Sequence, residues 1–151
     1  MEFLIDTKNI NEVRKQIQNL KKENKKVVVV AKDDVFNRKI FEINDVDMVI
    51  DLELHDRRDR LKQRDSGLNE ILCKLAKKND IVIGIDIRKI KKLEIKEKGI
   101  VMGRIIQNIK LCKRTKTNIV LLPEYSKQEI LSFFSVLKGS TNQANSAFKF
   151  K

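Results

Sequence analysis

Five short apolar runs constrain this chain more than anything else in it: Phe3 to Ile5, Val27 to Ala31, Val46 to Ile50 (interrupted by Asp47), Ile81 to Ile85 and Ile119 to Leu122. They are rich in Val and Ile and do not alternate with polar residues. A strand covered on one face alternates; an unbroken apolar run fits a strand buried on both faces, as in a parallel sheet. Parallel neighbours need a crossover between them, and the intervening segments carry helical stripes. Ile10, Val13, Ile17 and Leu20 form one. Leu68, Ile71, Leu72, Leu75 and Ala76 form the cleanest, Val101, Ile105, Ile109 and Cys112 another, and Ile130, Leu131, Phe134 and Leu137 a fourth. A weaker helix is predicted over Val35 to Ile43 and a short closing one over Thr141 to Phe148. Strand and helix alternate throughout, which indicates an α/β domain with right-handed crossovers. There is no internal repeat and no Gly/Ser linker, and the one proline, Pro123, follows the last run. Residues 1–148 are expected to form one domain, with 149–151 a frayed tail.

Charge narrows the class of partner. Lys and Arg total 33 against 21 Asp and Glu, a net +12 in 151 residues. Such an imbalance repels itself unless a polyanion neutralises it, which points to nucleic acid or an acidic membrane surface; a lysine-rich compositional bias is the plain alternative. No apolar stretch approaches the roughly 18 residues of a membrane span. The start, Met1 to Asp6, lacks the basic region of a signal peptide. Cys73 and Cys112 stand apart, without CxxC spacing, and read as free thiols of a reducing cytoplasm rather than as a disulfide.

The inventory is poor for catalysis. The single histidine, His55, cannot build a histidine-rich metal site. No nucleophile elbow, P-loop or GxGxxG is present. Asp47 and Asp51 flank one predicted strand and Asp86 ends another; carboxylates there could bind a metal or act as bases, but capping or loop-starting acids look the same. Gly99 and Gly103 are spaced GxxxG within an amphipathic segment, which fits close packing or a helix start.

The basic residues fall in three clusters. Arg57, Arg58, Arg60, Lys62 and Arg64 are opposed only by Asp59; Arg88, Lys89, Lys91, Lys92, Lys96 and Lys98 are diluted by Glu94 and Glu97; Lys110, Lys113, Arg114 and Lys116 form the third. The first two follow the C-terminal ends of predicted strands, where ligands bind in parallel α/β folds. The third precedes a strand and belongs to the opposite end or its flank. Arginine forks grip phosphate with paired hydrogen bonds, whereas lysine acts as a point charge. With seven Phe, one Tyr and no Trp, no aromatic stacking ladder is visible, so backbone and shape recognition of RNA is expected. A flexible, solvated loop is the alternative for the first cluster.

One stretch carries a family resemblance. Arg64-Asp65-Ser66-Gly67-Leu68-Asn69-Glu70-Ile71-Leu72-Cys73-Lys74-Leu75-Ala76 runs into Ile81-Val82-Ile83-Gly84-Ile85. It resembles the central signature of the ribonuclease P protein component 3 family, in which a basic residue and Asp-x-Gly precede a helix and then a strand. Asp65 or Ser66 can cap that helix, and Gly67 permits a close approach. Arg104-Ile105-Ile106-Gln107-Asn108-Ile109-Lys110-Leu111-Cys112-Lys113 resembles the family's helix with an Asn-aliphatic-basic-Leu core. Leu137-Lys138-Gly139-Ser140-Thr141-Asn142-Gln143-Ala144 is similar to its C-terminal turn and helix.

The resemblance implies a TIM-barrel-like fold and a non-catalytic role in archaeal ribonuclease P, where the RNA performs catalysis with Mg²⁺ and the protein binds no cofactor or metal. The implied partners are the ribonuclease P RNA, precursor tRNA and other protein subunits, above all a small α/β subunit in a heterodimer or heterotetramer. The expected RNA-binding residues are Arg57, Arg58, Arg60, Lys62, Arg64, Arg88, Lys89, Lys91, Arg104, Lys110 and Arg114, with Asp65, Gly67 and Asn108 as structural signature. Family members are longer at the N-terminus by about two strand–helix units and carry less chain between the third run and the Asp65 motif. A shortened, partial or open barrel of about five to seven strands is therefore expected, with an exposed sheet edge that a partner protein, a second copy or RNA would cover. A small metal-dependent phosphoesterase using Asp47, Asp51, Asp86 or His55, and a ribosome- or chromatin-associated basic protein, are the competing readings.

Overall fold

The structure, a computed structural model, describes residues 2–150. Five strands, β1 (Glu2–Ile5), β2 (Lys26–Val30), β3 (Met48–Ile50), β4 (Val82–Asp86) and β5 (Ile119–Leu122), pair in parallel and in sequence order. Helices α1 (Ile10–Lys22), α2 (Asp34–Phe41), α3 (Glu70–Lys78), α4 (Ile87–Lys91), α5 (Ile95–Thr115), α6 (Lys127–Val136) and α7 (Thr141–Lys149) fill the connections. Sequential parallel strands joined by right-handed crossovers put their connecting helices on one face. This is the start of a barrel wall rather than a doubly wound sheet.

Register explains the unbroken apolar runs. Ile5, Val29, Val49, Ile83 and Ile119 lie in one row across all five strands, each at most 1% exposed. The rows on the opposite face, Leu4–Val28–Met48–Val82 and Val30–Ile50–Gly84–Val120, are buried too, apart from Leu4 at the β1 edge. Gly84 is required there: a Cβ would sit 2.7 Å from both Ile50 Cγ2 and Met48 Sδ.

Several boundaries differ from the sequence reading. Leu68 is not helical; α3 starts at Glu70, and its cap is Asn69, whose side chain accepts from the Leu72 N–H, in place of Asp65 or Ser66. The second basic cluster is largely helical, shared between α4 and the first turns of α5. Of the expected frayed tail, Lys149 and Phe150 belong to the fold. Lys149 ends α7, and the Phe150 ring lies beneath the Lys26 ammonium, 5.0 Å from its centroid; Lys151 falls outside the described residues. Gln143 at the other end of α7 donates to the Ile109 carbonyl at 2.9 Å, and α7 packs on β5. The C-terminal helix thus reaches from β5 to the start of β2.

The cysteines are both free and buried. The neighbouring Cys112 thiol, with Thr115 and Thr117, outweighs burial and holds the Cys73 thiol below its ordinary value.

Candidate nucleic-acid interface

The segment between β3 and α3, residues 51–69, emerges at the C-terminal end of the sheet, as does the turn from β4 into α4. What holds the long segment is Arg104 of α5. Its Nη1 donates to the carbonyls of Glu53 (3.1 Å) and His55 (2.8 Å), its Nη2 to the Arg57 carbonyl (2.7 Å), and its Nε to Asp59 Oδ1 (3.0 Å). Loop carbonyls have no ladder to satisfy them, and a rigid guanidinium fork satisfies three at once. Arg104 was expected to bind RNA. It is buried, 4% exposed, and all its bonds point inward, so the structure withdraws it from the surface.

The signature residues serve the same loop. Asp59 accepts from Arg104, from the Asp65 N–H (3.0 Å) and from Arg64 (3.4 Å). Burial pushes its carboxyl up, but these hydrogen bonds and charges outweigh it and leave it below the ordinary value. Asp65 turns the backbone back through the Gly67 N–H (3.2 Å), and its carbonyl accepts from His55 Nε2 (2.6 Å). Gly67 has φ +73°, and a Cβ there would lie 2.0 Å from the Leu52 carbonyl oxygen. Asn108 donates to the Ser66 carbonyl at 3.2 Å. The basic loop is therefore anchored to α5 rather than loose.

Anchoring sorts the cations. Arg57 bridges Asp65 (3.2 Å) and Asp34 (3.1 Å) and is half-buried. Arg64 lies over Gly103 of α5, where a Cβ would come within 2.5 Å of its guanidinium carbon; the GxxxG glycine thus seats an arginine. Arg58, Arg60 and Lys62 are exposed around a tight turn in which the Gln63 N–H donates to the Arg60 carbonyl (3.3 Å). Across from them, Arg88 forks onto Asp86 (2.9 Å for both bonds), Lys89 pairs with Asp51, and Lys91 is exposed. The two clusters share one end of the molecule. Lys110 and Arg114 lie towards the far end of α5, Arg114 paired with Glu70 at 3.0 Å. Arg104, Lys110 and Arg114 therefore do not join the other eight predicted residues.

Acids beneath the basic face are perturbed by burial. Glu53 is wholly buried, neither carboxylate oxygen has a partner, and desolvation pushes its carboxyl up to about 8. Desolvation also raises Asp51, against the lowering effect of Lys89. His55 is lowered by desolvation and by the charges of Arg104 and Arg57. The carboxylates proposed for metal do not assemble. Asp47 binds Lys21 and the Val27 N–H just before β3, whereas Asp51 follows β3 and Asp86 is the last residue of β4. Among the described residues no three His, Cys, Asp or Glu side chains form a group suited to an ion. Sequence reasoning missed the roles of Asp59 and Glu53, and read Gly103 as a packing position or a helix start. The signal available was an acid inside a basic run: Asp59 is the pivot of that run, not a diluting charge.

Comparison with known proteins gives one answer. No protein-family model matches the chain. It is 28% identical over 117 residues to the ribonuclease P protein component 3 of Methanococcus maripaludis strain C7, covering 78% of this chain and 47% of the relative. It is 25% identical over 113 residues to that of Methanococcus vannielii, covering 75% and 46%. The chain thus spans about half the length of the curated relatives it matches. In fold it superposes on a chain of the cryo-EM structure of archaeal ribonuclease P with mature tRNA, with TM-score 0.77 and 17% identity, over 97% of this chain and 63% of that one. The chain is thus similar in sequence to ribonuclease P protein component 3 over about half of that protein's length, and similar in fold to a chain of an archaeal ribonuclease P.

Proposed function

We propose that this chain is a non-catalytic protein subunit of ribonuclease P, supporting 5′-end maturation of precursor tRNA by holding the catalytic RNA. The observation that carries this reading is the union of two basic clusters, from the β3–α3 loop and from α4, on the one end of a ribonuclease P protein component 3-like sheet. The contact residues would be Arg58, Arg60, Lys62, Arg88, Lys89 and Lys91, with Arg57 and Arg64 at the flank, gripping phosphates and so recognising backbone more than sequence. Mg²⁺ would belong to the RNA, and a small α/β protein subunit would be the neighbouring protein in a cytoplasmic ribonucleoprotein. The test is reconstitution. The chain alone should cleave nothing, and adding it to the ribonuclease P RNA with its other subunits should raise precursor-tRNA cleavage. Failure of that RNA to co-purify from native extract refutes the assignment.

A further inference from the structure

The basic charge has a second location. From Lys98 to Lys151 the chain carries ten Lys and Arg but only two acids, Glu124 and Glu129. Both acids follow β5 at the C-terminal end of the sheet, and Glu129 is held in the capping box of α6. At the opposite end α5 stops, β5 starts and α7 lies across, and residues 98–123 and 130–151 bring no acid to it. A groove of about 460 Å³ runs there between these three elements. Its walls are fixed. Gln143 of α7 donates to the Ile109 carbonyl of α5 at 2.9 Å, and the Thr117 hydroxyl, before β5, donates to the Cys73 carbonyl of α3 at 2.9 Å. Lys113 and Lys116 line the groove together with the exposed donors Asn118, Asn142 and Ser146. Among the described residues neither lysine pairs with an acid, whereas Arg114 between them is bound to Glu70. The acids at this end, among them Asp45, Asp47 and Asp80, precede β3 and β4, and none lines the groove.

A cation in the last turn of a helix complements the macrodipole, and that accounts for Lys113 taken singly. It leaves unexplained a groove with two exposed lysines and no acid, and Lys110 one turn before Lys113 on α5. An anion from outside relieves their mutual repulsion. Hydroxyl and amide donors beside two cations, with no aromatic ring in the lining, suit phosphate and ribose rather than the face of a base. The loop face described above lies at the other end of α5, whose 21 residues span about 30 Å. One straight duplex cannot lie on both ends. We propose that this groove takes the sugar–phosphate backbone of a second RNA segment, so that the chain bridges two segments held at opposite ends of its sheet. The idea rests on the RNA-binding reading above and adds a second, separate contact to it.

The test counts short RNA duplexes bound to the full chain by native mass spectrometry. The unaltered protein should bind two. Lys113→Gln combined with Lys116→Gln should bind one, and so should Arg58→Gln combined with Arg60→Gln. The lysine variant should also lower the salt slope of total binding by about 2. A single duplex on the unaltered protein, unaffected by the lysine variant, overturns the proposal and leaves the RNA-binding subunit standing. Lysine acetylation with and without duplex needs no variant. Saturating duplex should shield Lys113 and Lys116, and full reactivity of both overturns the bridge. Shielding by poly-glutamate but not by duplex also overturns it, in favour of an acidic protein partner. Two duplexes per chain with no gain in precursor-tRNA cleavage on reconstitution keep the bridge and refute the ribonuclease P role.

Discussion

Arg104 Nε lies 3.0 Å from Asp59 Oδ1, joining the middle of α5 to the middle of the basic loop, 45 positions earlier in the chain. The same guanidinium holds three loop carbonyls, so its removal strands several buried polar groups together. Arg104→Met is expected to cost about 3 kcal/mol, since leaving buried partners unpaired costs more than the bonds themselves contribute. Urea unfolding measures the loss. Amide exchange should show residues 53–65 losing protection first, and a uniform loss across the sheet would contradict the anchoring role.

Two glycines should respond in opposite ways. Gly67→Ala forces a Cβ into the Leu52 carbonyl at a left-handed φ, where both the clash and the backbone conformation resist it. A loss of more than about 3 kcal/mol is expected. Gly103→Ala meets only the end of the flexible Arg64 side chain. That arginine can move, and the helix gains up to about 1 kcal/mol from replacing glycine. Thermal melts of the two variants give the comparison; similar destabilisation of both would remove the distinction.

Glu53 makes stability depend on pH. Its folded pKa of about 8 lies above the ordinary 4.5. The folded state therefore holds a proton that the unfolded chain has released, and stability falls as pH rises between those values, levelling off above about 8. His55 works in the other direction below its ordinary 6.5 because its folded pKa is lowered, so the clean interval is from 6.5 to about 8. There the unaltered protein should lose stability with rising pH, and Glu53→Gln should flatten the curve. Parallel curves for the two proteins would show that Glu53 is not the cause.

Exposed and engaged arginines should separate in binding. Arg58→Ala and Arg60→Ala remove solvent-facing charges, so the melting temperature should hold while RNA affinity falls. Removing a cation that neutralises one phosphate lowers the salt slope of binding by about 1. Arg57→Ala breaks pairs with Asp65 and Asp34 and should reduce stability as well. Filter binding across a salt series, with melts on the same samples, decides it; an unchanged slope for Arg58→Ala and Arg60→Ala takes the loop tip out of the interface.

The alternation of five apolar runs with helical stripes was enough to specify a parallel α/β sheet, because burial on both faces leaves a strand no polar positions and parallel pairing demands a crossover. The same order put Arg58 and Lys91 at one end, since every strand points the same way. Local pattern misjudged what depends on contacts between distant segments. Asn69 rather than Asp65 caps α3, because Asp65 is engaged with Gly67 and Arg57. Phe150 is part of the fold because Lys26, far away in sequence, lies over its ring. Arg104 looked like one more cation beside Lys110. Only the tertiary structure brings the carbonyls of residues 53, 55 and 57 to it and turns it inward. Charge is written in the sequence, but whether a charge faces solvent or the backbone of another segment is decided by which buried polar groups need it.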